Sequence, residues 1–195
     1  FDTIFYMTIS WYGEACFLLE AGGTRILIEP PIKESGLASP RLKSDILIFS
    51  RPEGARLASN EAAKSQNNES ETFVIDSPGE YEIRNVNIKG VFDGDNIIYA
   101  IDMEGIKLAH LGFLKKEPDN EKIELLLKVD IVLAPVGGLG SELLDAEEAM
   151  KLINKLEPNI AIPMLFDIKG LKTKRAPISE FRKESEAKDS PLPKL

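Results

Sequence analysis

Apolar residues over the first hundred positions alternate or come in short blocks, which is the pattern of β-strands. Residues 7–20, MTISWYGEACFLLE, and 24–29, TRILIE, form two such stretches. Ala21-Gly22-Gly23 joins them and supplies the positive φ that a tight hairpin turn needs. Pro30-Pro31 ends the second stretch, and a loop to about residue 44 leads into DILIFS, a fully apolar run expected as a short buried strand. Residues 58–66 predict one or two helical turns capped by Ser59, and SQNNESE behind them reads as a polar, mobile loop at about 67–71. Strands resume with TFVIDS, and Pro78-Gly79 turns the chain into YEIRNVNIKGVF. Alternation breaks there between Ile83 and Val86, which predicts a bulge or a turn at Arg84-Asn85. NIIYAID (96–102) and IKLAHL (106–111) flank Met103-Glu104-Gly105 as a further hairpin.

The period then changes. DNEKIELLLK (119–128) places Ile123, Leu126 and Leu127 at helical spacing, and DIVLAPV (130–136) is a buried strand. Gly137-Gly138-Leu139-Gly140 follows and reads as a flexible turn. The next helix carries the clearest signals: Asp145 as cap, Glu148 as its box partner, and an apolar stripe of Ala146, Ala149, Met150, Ile153 and Leu156. Pro158 stops it, NIAIPMLF (159–166) is another buried strand, and PISEFRKESEAKD (177–189) predicts a last amphipathic helix. A β-meander followed by αβ units predicts a layered α/β protein instead of a Rossmann domain. No G-x-G-x-x-G or P-loop pattern follows any of these strands, which removes the usual nucleotide cradles. One domain is expected over residues 1–195, with 170–195 as a C-terminal helix and tail.

Composition narrows the partners. With 32 acidic against 24 basic side chains the net charge is −8, which disfavours nucleic acid. The basic cluster Lys169, Lys172, Lys174 and Arg175 reads as a solvated loop. Cys16 is the sole cysteine, so an internal disulfide and a four-cysteine zinc site are excluded and a reducing, cytoplasmic setting is expected. No stretch approaches the roughly 20 apolar residues of a membrane helix, and Asp2 stands where an export signal has basic residues, so neither membrane insertion nor export is expected. Met7 is either an internal residue or the natural start.

Candidate chemistry is sparse. His110, the one histidine, closes the strand IKLAHL; it serves either as an acid–base group or as a buried histidine bonded to backbone or carboxylate. A Cys16–His110 nucleophile pair is conceivable, but Cys16 sits between Ala15 and Phe17 as a small buried hydrophobe would. Ser50, Ser77 and Ser141 have no second histidine to activate them, and Trp11 and Phe17 are expected in the core. Oxygen-only ligation of a hard cation by Glu14, Glu29, Glu53 and Asp76 is opposed by Arg51 and Arg56, whose guanidinium groups repel a cation.

The stretches ISWYGEACFLLEAGGTRILIEP, DILIFSRPEGARL, SPGEYEIRNVNIKGV, IIYAIDMEGIKLAHLG, VDIVLAPVGG and LDAEEAMKLINKLEPNIAIPM, taken in order over about residues 7–166, resemble the metallo-β-lactamase superfamily. The branch they are similar to is that of short zinc-dependent hydrolases related to ascorbate-6-phosphate lactonase. The resemblance implies a four-layer αββα sandwich of two mixed β-sheets with the active site at one edge between them. It also implies that the loop after DILIF should read T-H-x-H-x-D-H and hold zinc, whereas here it reads Ser50-Arg51-Pro52-Glu53-Gly54-Ala55-Arg56. The family's later G-D appears as Gly112-Phe113, its I-P-M-H as Ile162-Pro163-Met164-Leu165, and Glu14 and Glu29 replace a histidine and an aspartate.

A fold retained with its zinc ligands replaced implies a pseudoenzyme without cofactor that binds a small anionic ligand or a protein. Its vestigial pocket would be formed by Glu14, Glu29, Ser50, Arg51, Glu53, Arg56, His110, Phe113 and Leu165. Arg51 and Arg56 either hold that ligand or pair with Glu14, Glu29 or Glu53. The alternatives are a hydrolase of a small ester, lactone or phosphate that uses His110 and carboxylates, with or without a non-standard metal, and a structural subunit of a homo-oligomer.

Overall fold

The computed structural model describes residues 6–38, 40, 42–51 and 72–185. The first hairpin is β1 (Thr8–Trp11) and β2 (Phe17–Ala21), and β2 turns at Gly22-Gly23 into the antiparallel β3 (Thr24–Ile28). β4 (Ile46–Ile48) and β5 (Phe73–Ile75) add in parallel and complete a five-stranded sheet in the order β1-β2-β3-β4-β5. A second, six-stranded sheet is built from β6 (Gly79–Ile83), β7 (Val86–Asp93), β8 (Asn96–Met103), β9 (Ile106–His110), β10 (Ile131–Pro135) and β11 (Ile160–Met164). Its antiparallel hairpins β6–β9 pass into the parallel pairs β9–β10 and β10–β11.

The uninterrupted apolar runs follow from strands buried on both faces. Phe17, Leu19, Ile26, Ile28, Ile46 and Ile48 point inward and meet Ile97, Tyr99, Ile101, Leu108 and Leu133 of the other sheet. The intervening Leu18, Leu27 and Leu47 point the other way, and pack with Cys16 and Phe49 beneath Ile32 and Leu42. Behind the six-stranded sheet, Ile98, Ala109, Val132 and Ala134 meet three helices, α1 (Asn120–Leu126), α2 (Ala146–Leu156) and α3 (Ile178–Glu184). The described residues therefore show the two central sheets and one outer helical layer. The predicted helix at 58–66 and loop at 67–71 lie outside the described residues.

Local signals account for the element ends. The break between Ile83 and Val86 is a two-residue turn, with Arg84 and Asn85 at φ 50° and 62°, as a twist-matched hairpin requires. Asp145 caps α2 by accepting from the Glu148 backbone N–H, while the Glu148 carboxylate accepts from the Asp145 N–H. Four expectations need correction. Trp11 is 41% exposed because it lies on the edge strand β1, stacked on Phe166 at 5.1 Å, so it is not a core residue. The α2 stripe buries Leu152 more completely than Met150. The last helix ends at Glu184, short of the predicted 189, with residues beyond 185 outside the described set. Gly137-Gly138 is a close-packing site, since a Cβ would fall 2.1 Å from the Leu165 carbonyl oxygen at Gly137 and 2.2 Å from that of Leu143 at Gly138.

These two features rank two substitutions. Asp145→Ala removes one cap and should cost about 1 kcal/mol in urea unfolding. Gly138→Ala forces backbone apart and should cost more, so the reverse order would contradict the packing described for Gly138.

Candidate functional site

A cleft of about 440 Å³ opens at one edge between the sheets. Its walls come from the β1–β2 loop (Glu14, Ala15) and from segments that follow the C-terminal ends of β3 (Glu29 to Ser35), β4 (Phe49, Arg51), β9 (Phe113, Lys115), β10 (Glu142, Leu143) and β11 (Thr173, Arg175), with Asp95 from the β7–β8 turn. The carboxyl ends of parallel strands are where α/β sheets leave such crevices, because the chain departs there in loops.

Polar bonds stitch the two sheets together beneath this cleft. Ile97 N–H donates to the Ser50 carbonyl at 2.7 Å, and the buried Tyr99 hydroxyl to the Phe49 carbonyl at 2.9 Å. Glu14 ties the β1–β2 loop to the chain after β11: its carbonyl accepts from Leu165 N–H at 3.4 Å and from Trp11 Nε1 at 3.0 Å. Its two carboxylate oxygens accept from Arg175, Oε1 from Nε at 3.3 Å and Oε2 from Nη2 at 3.1 Å. Both side chains of this pair are nearly buried, 13% and 10% exposed. The fork-on-carboxylate arrangement is the strong form of an ion pair, since two parallel hydrogen bonds fix its direction.

Glu29 stands at the floor. Its Oε1 accepts from both the backbone N–H and the hydroxyl of the fully buried Ser50, the latter at 2.5 Å. Burial pushes the Glu29 carboxyl above its ordinary value, against the opposing pull of the Ser50 bonds and the Arg51 charge. Arg51 itself is exposed, and its guanidinium carbon lies 3.4 Å from the centre of the Phe113 ring, a cation–π stack. Phe113 is held for that stack by Asn96, whose Oδ1 accepts from Phe113 N–H at 2.8 Å while its Nδ2 donates to the Leu111 carbonyl. Between them Gly112 has no room for a side chain, since a Cβ would lie 2.2 Å from Asn96 Oδ1.

His110 is fully buried behind the cleft and does not line it. Gly112 N–H donates to Nδ1 at 3.1 Å, so the proton sits on Nε2 and faces the Ala15 carbonyl at 3.4 Å. Burial pulls its pKa down to about 4, which leaves a neutral ring with both nitrogens engaged. Cys16 is no partner for it: burial, reinforced by the Glu29 charge, pushes the thiol far above its ordinary value.

The structure thus brings together Glu14, Glu29, Arg51 and Phe113, and sets Ser50, His110 and Leu165 beneath them as buried supports. Glu53 and Arg56 lie outside the described residues. Glu14 pairs with Arg175 and not with Arg51. That also corrects Arg175, which leaves its solvated lysine neighbours and enters the cleft; its partner is 161 positions away in the chain, so no local pattern reveals it. Lys115 and Asp95, bonded at 2.7 Å, were equally silent in the sequence.

The described residues do not fit a metal centre. Among them no three histidine, cysteine or carboxylate side chains converge. Glu14 is occupied by Arg175, Glu29 by Ser50 and His110 by backbone, while Asp76 lies outside the cleft and accepts from Ser77. Phe113 and Leu165 present hydrocarbon where the family resemblance implies ligands. The backbone around the cleft is strained, with Glu14, Glu29 and Leu165 all at positive φ, 49°, 46° and 60°.

Two pH measurements check the buried groups. A histidine neutral and buried in the folded state contributes stability above its ordinary pKa of 6.5, which is lost as pH falls toward 4. This is worth about 3 kcal/mol, and the single imidazole should titrate by NMR near 4, with a midpoint near 6.5 contradicting its burial. Glu29 has the opposite sign: its raised pKa makes the folded state bind more protons, so stability falls as pH rises past 4.5. Glu29→Gln should therefore gain stability relative to the parent as pH rises above 4.5, and a pH-independent difference would contradict it.

Comparison with known proteins agrees with this architecture. The family described as a β-lactamase superfamily domain matches residues 8–165. A UPF0173 metal-dependent hydrolase of Thermoplasma acidophilum is 26% identical over 193 residues, covering 83% of this chain and 84% of its own. A UPF0173 protein of Pyrococcus furiosus is 29% identical over 201 residues, covering 91% and 90%. Among solved structures, a protein of Thermotoga maritima assigned as a Zn-dependent hydrolase of the metallo-β-lactamase superfamily superposes with a TM-score of 0.76 at 31% identity, over 91% of this chain and 85% of that one. Two mixed sheets packed face to face, a cleft at their shared edge and a match across nearly all the described strands place this chain in the β-lactamase superfamily, with the metallo-β-lactamase fold.

Proposed function

We propose that the protein binds a small molecule bearing a carboxylate or phosphate in the edge cleft, on Arg51, without the metal-dependent hydrolysis for which its relatives are named. The observation that carries this reading is the Arg51 guanidinium laid on Phe113; among the described residues it makes no direct ion pair, although its charge is felt by Glu29 and Asp95. Stacking on a ring fixes the guanidinium plane and leaves its N–H edges free for paired bonds to an anion. The cleft volume lies within the ~300–1,000 Å³ range of small-molecule sites.

A second reading, hydrolysis of a small ester, lactone or phosphate, is favoured by the names of the relatives in Thermoplasma acidophilum and Thermotoga maritima. The strained backbone at Glu14, Glu29 and Leu165 is consistent with it. In this reading Glu29, the buried carboxyl on the cleft floor, is a better acid–base candidate than His110, which does not reach the cleft.

Protein purified without chelator separates the two. The binding reading expects well under one metal per chain by elemental analysis, no turnover of nitrophenyl phosphate, nitrophenyl acetate or a homoserine lactone, and phosphate or acetate binding that Arg51→Ala weakens at least tenfold. A stoichiometric metal with turnover abolished by its removal would overturn that reading in favour of hydrolysis.

A further inference from the structure

The charges around the cleft say more about the ligand than Arg51 does alone. Glu14 cancels Arg175 and Asp95 cancels Lys115, each through a direct ion pair. Glu29 is buried, its carboxyl already accepting from the Ser50 N–H and hydroxyl. What the described lining then presents is one cation, Arg51, and two exposed carboxylates, Glu34 and Glu142. These sit on separate short turns, Lys33–Ser35 after β3 and Gly140–Glu142 after β10. Between the charged groups the lining includes Pro31, Ile32, Phe113 and Leu143.

A purely anionic ligand would gain at Arg51 and lose at Glu34 and Glu142, since like charges gathered around one cleft repel. A purely cationic one meets the reverse. A short molecule with a carboxylate or phosphate at one end and an ammonium at the other satisfies both and lays its hydrocarbon along the apolar wall. We propose that the cleft selects a compact zwitterion, an ω-amino acid or amino-alkyl phosphate in chemical class, with its anion on Arg51 and its ammonium toward Glu34 and Glu142. This inference rests on the reading that the cleft binds ligands through Arg51.

The test compares γ-aminobutyrate, butyrate and butylamine, which differ only in their charged ends. Binding is followed by NMR shifts of the full chain and by fluorescence of Trp11, its sole tryptophan, which bonds to the Glu14 carbonyl at the cleft wall. The zwitterion should bind about tenfold more tightly than either singly charged analogue, a difference of about 1.4 kcal/mol. The double variant E34Q/E142Q should erase that preference while keeping butyrate binding, and Arg51→Ala should abolish both. Butyrate binding as tightly as γ-aminobutyrate, with both lost in Arg51→Ala, would overturn the zwitterion inference and leave the anion site standing. If no probe bound, or if Arg51→Ala changed nothing, the anion site would fall and the inference with it. All these side chains are exposed, so the variants should fold, which unchanged Tm values would verify.

Discussion

The edge of this sandwich depends on one nearly buried ion pair, Glu14 with Arg175. It joins the loop between the first two strands to the segment after the last strand, two parts of the chain that share no sheet. Opposed sheets are held at their centre by apolar contact, which is non-directional and leaves the end loops free to drift apart. Directional bonds remove that freedom. The Glu14 carbonyl and carboxylate, the Ser50 and Phe49 carbonyls and the Ala15 carbonyl all receive donors from the opposite sheet or its loops. Removing one member of such a pair leaves the other charged and poorly solvated, which costs far more than an exposed ion pair contributes.

Strained backbone accompanies these polar bonds around the cleft. Three residues hold unfavourable left-handed conformations around the cleft, the sort of strain that persists where surrounding structure over-determines it. Among the described residues Glu14 bonds to Arg175, Glu29 to Ser50 and Asp95 to Lys115, and a neutral His110 supports the floor from below. Arg51 rests on an aromatic face and, among the described residues, makes no direct ion pair.

Much of the fold was legible because strand burial on both faces writes continuous apolar runs, and because caps and turns use few residue types. The Asp145–Glu148 box and the Arg84-Asn85 turn stand where local chemistry placed them. Gly137-Gly138 misled, since glycine serves close approach as readily as flexibility, and only the neighbouring carbonyls distinguish the two uses. In the site, Glu14, Glu29, Arg51 and Phe113, singled out by motif position, line one cleft. Their partners were not readable: Arg175 sits in a lysine-rich loop whose composition predicts only solvation, and pairing across 161 residues is decided by tertiary packing.

The claim that internal polar bonds hold this edge is tested most directly by a double-mutant cycle on Glu14→Gln and Arg175→Met, read by equilibrium unfolding in metal-free buffer. A coupling of about 1–3 kcal/mol, with each single variant clearly destabilised, is the expected result. A coupling under about 0.5 kcal/mol would show that the two residues act independently and would contradict the account.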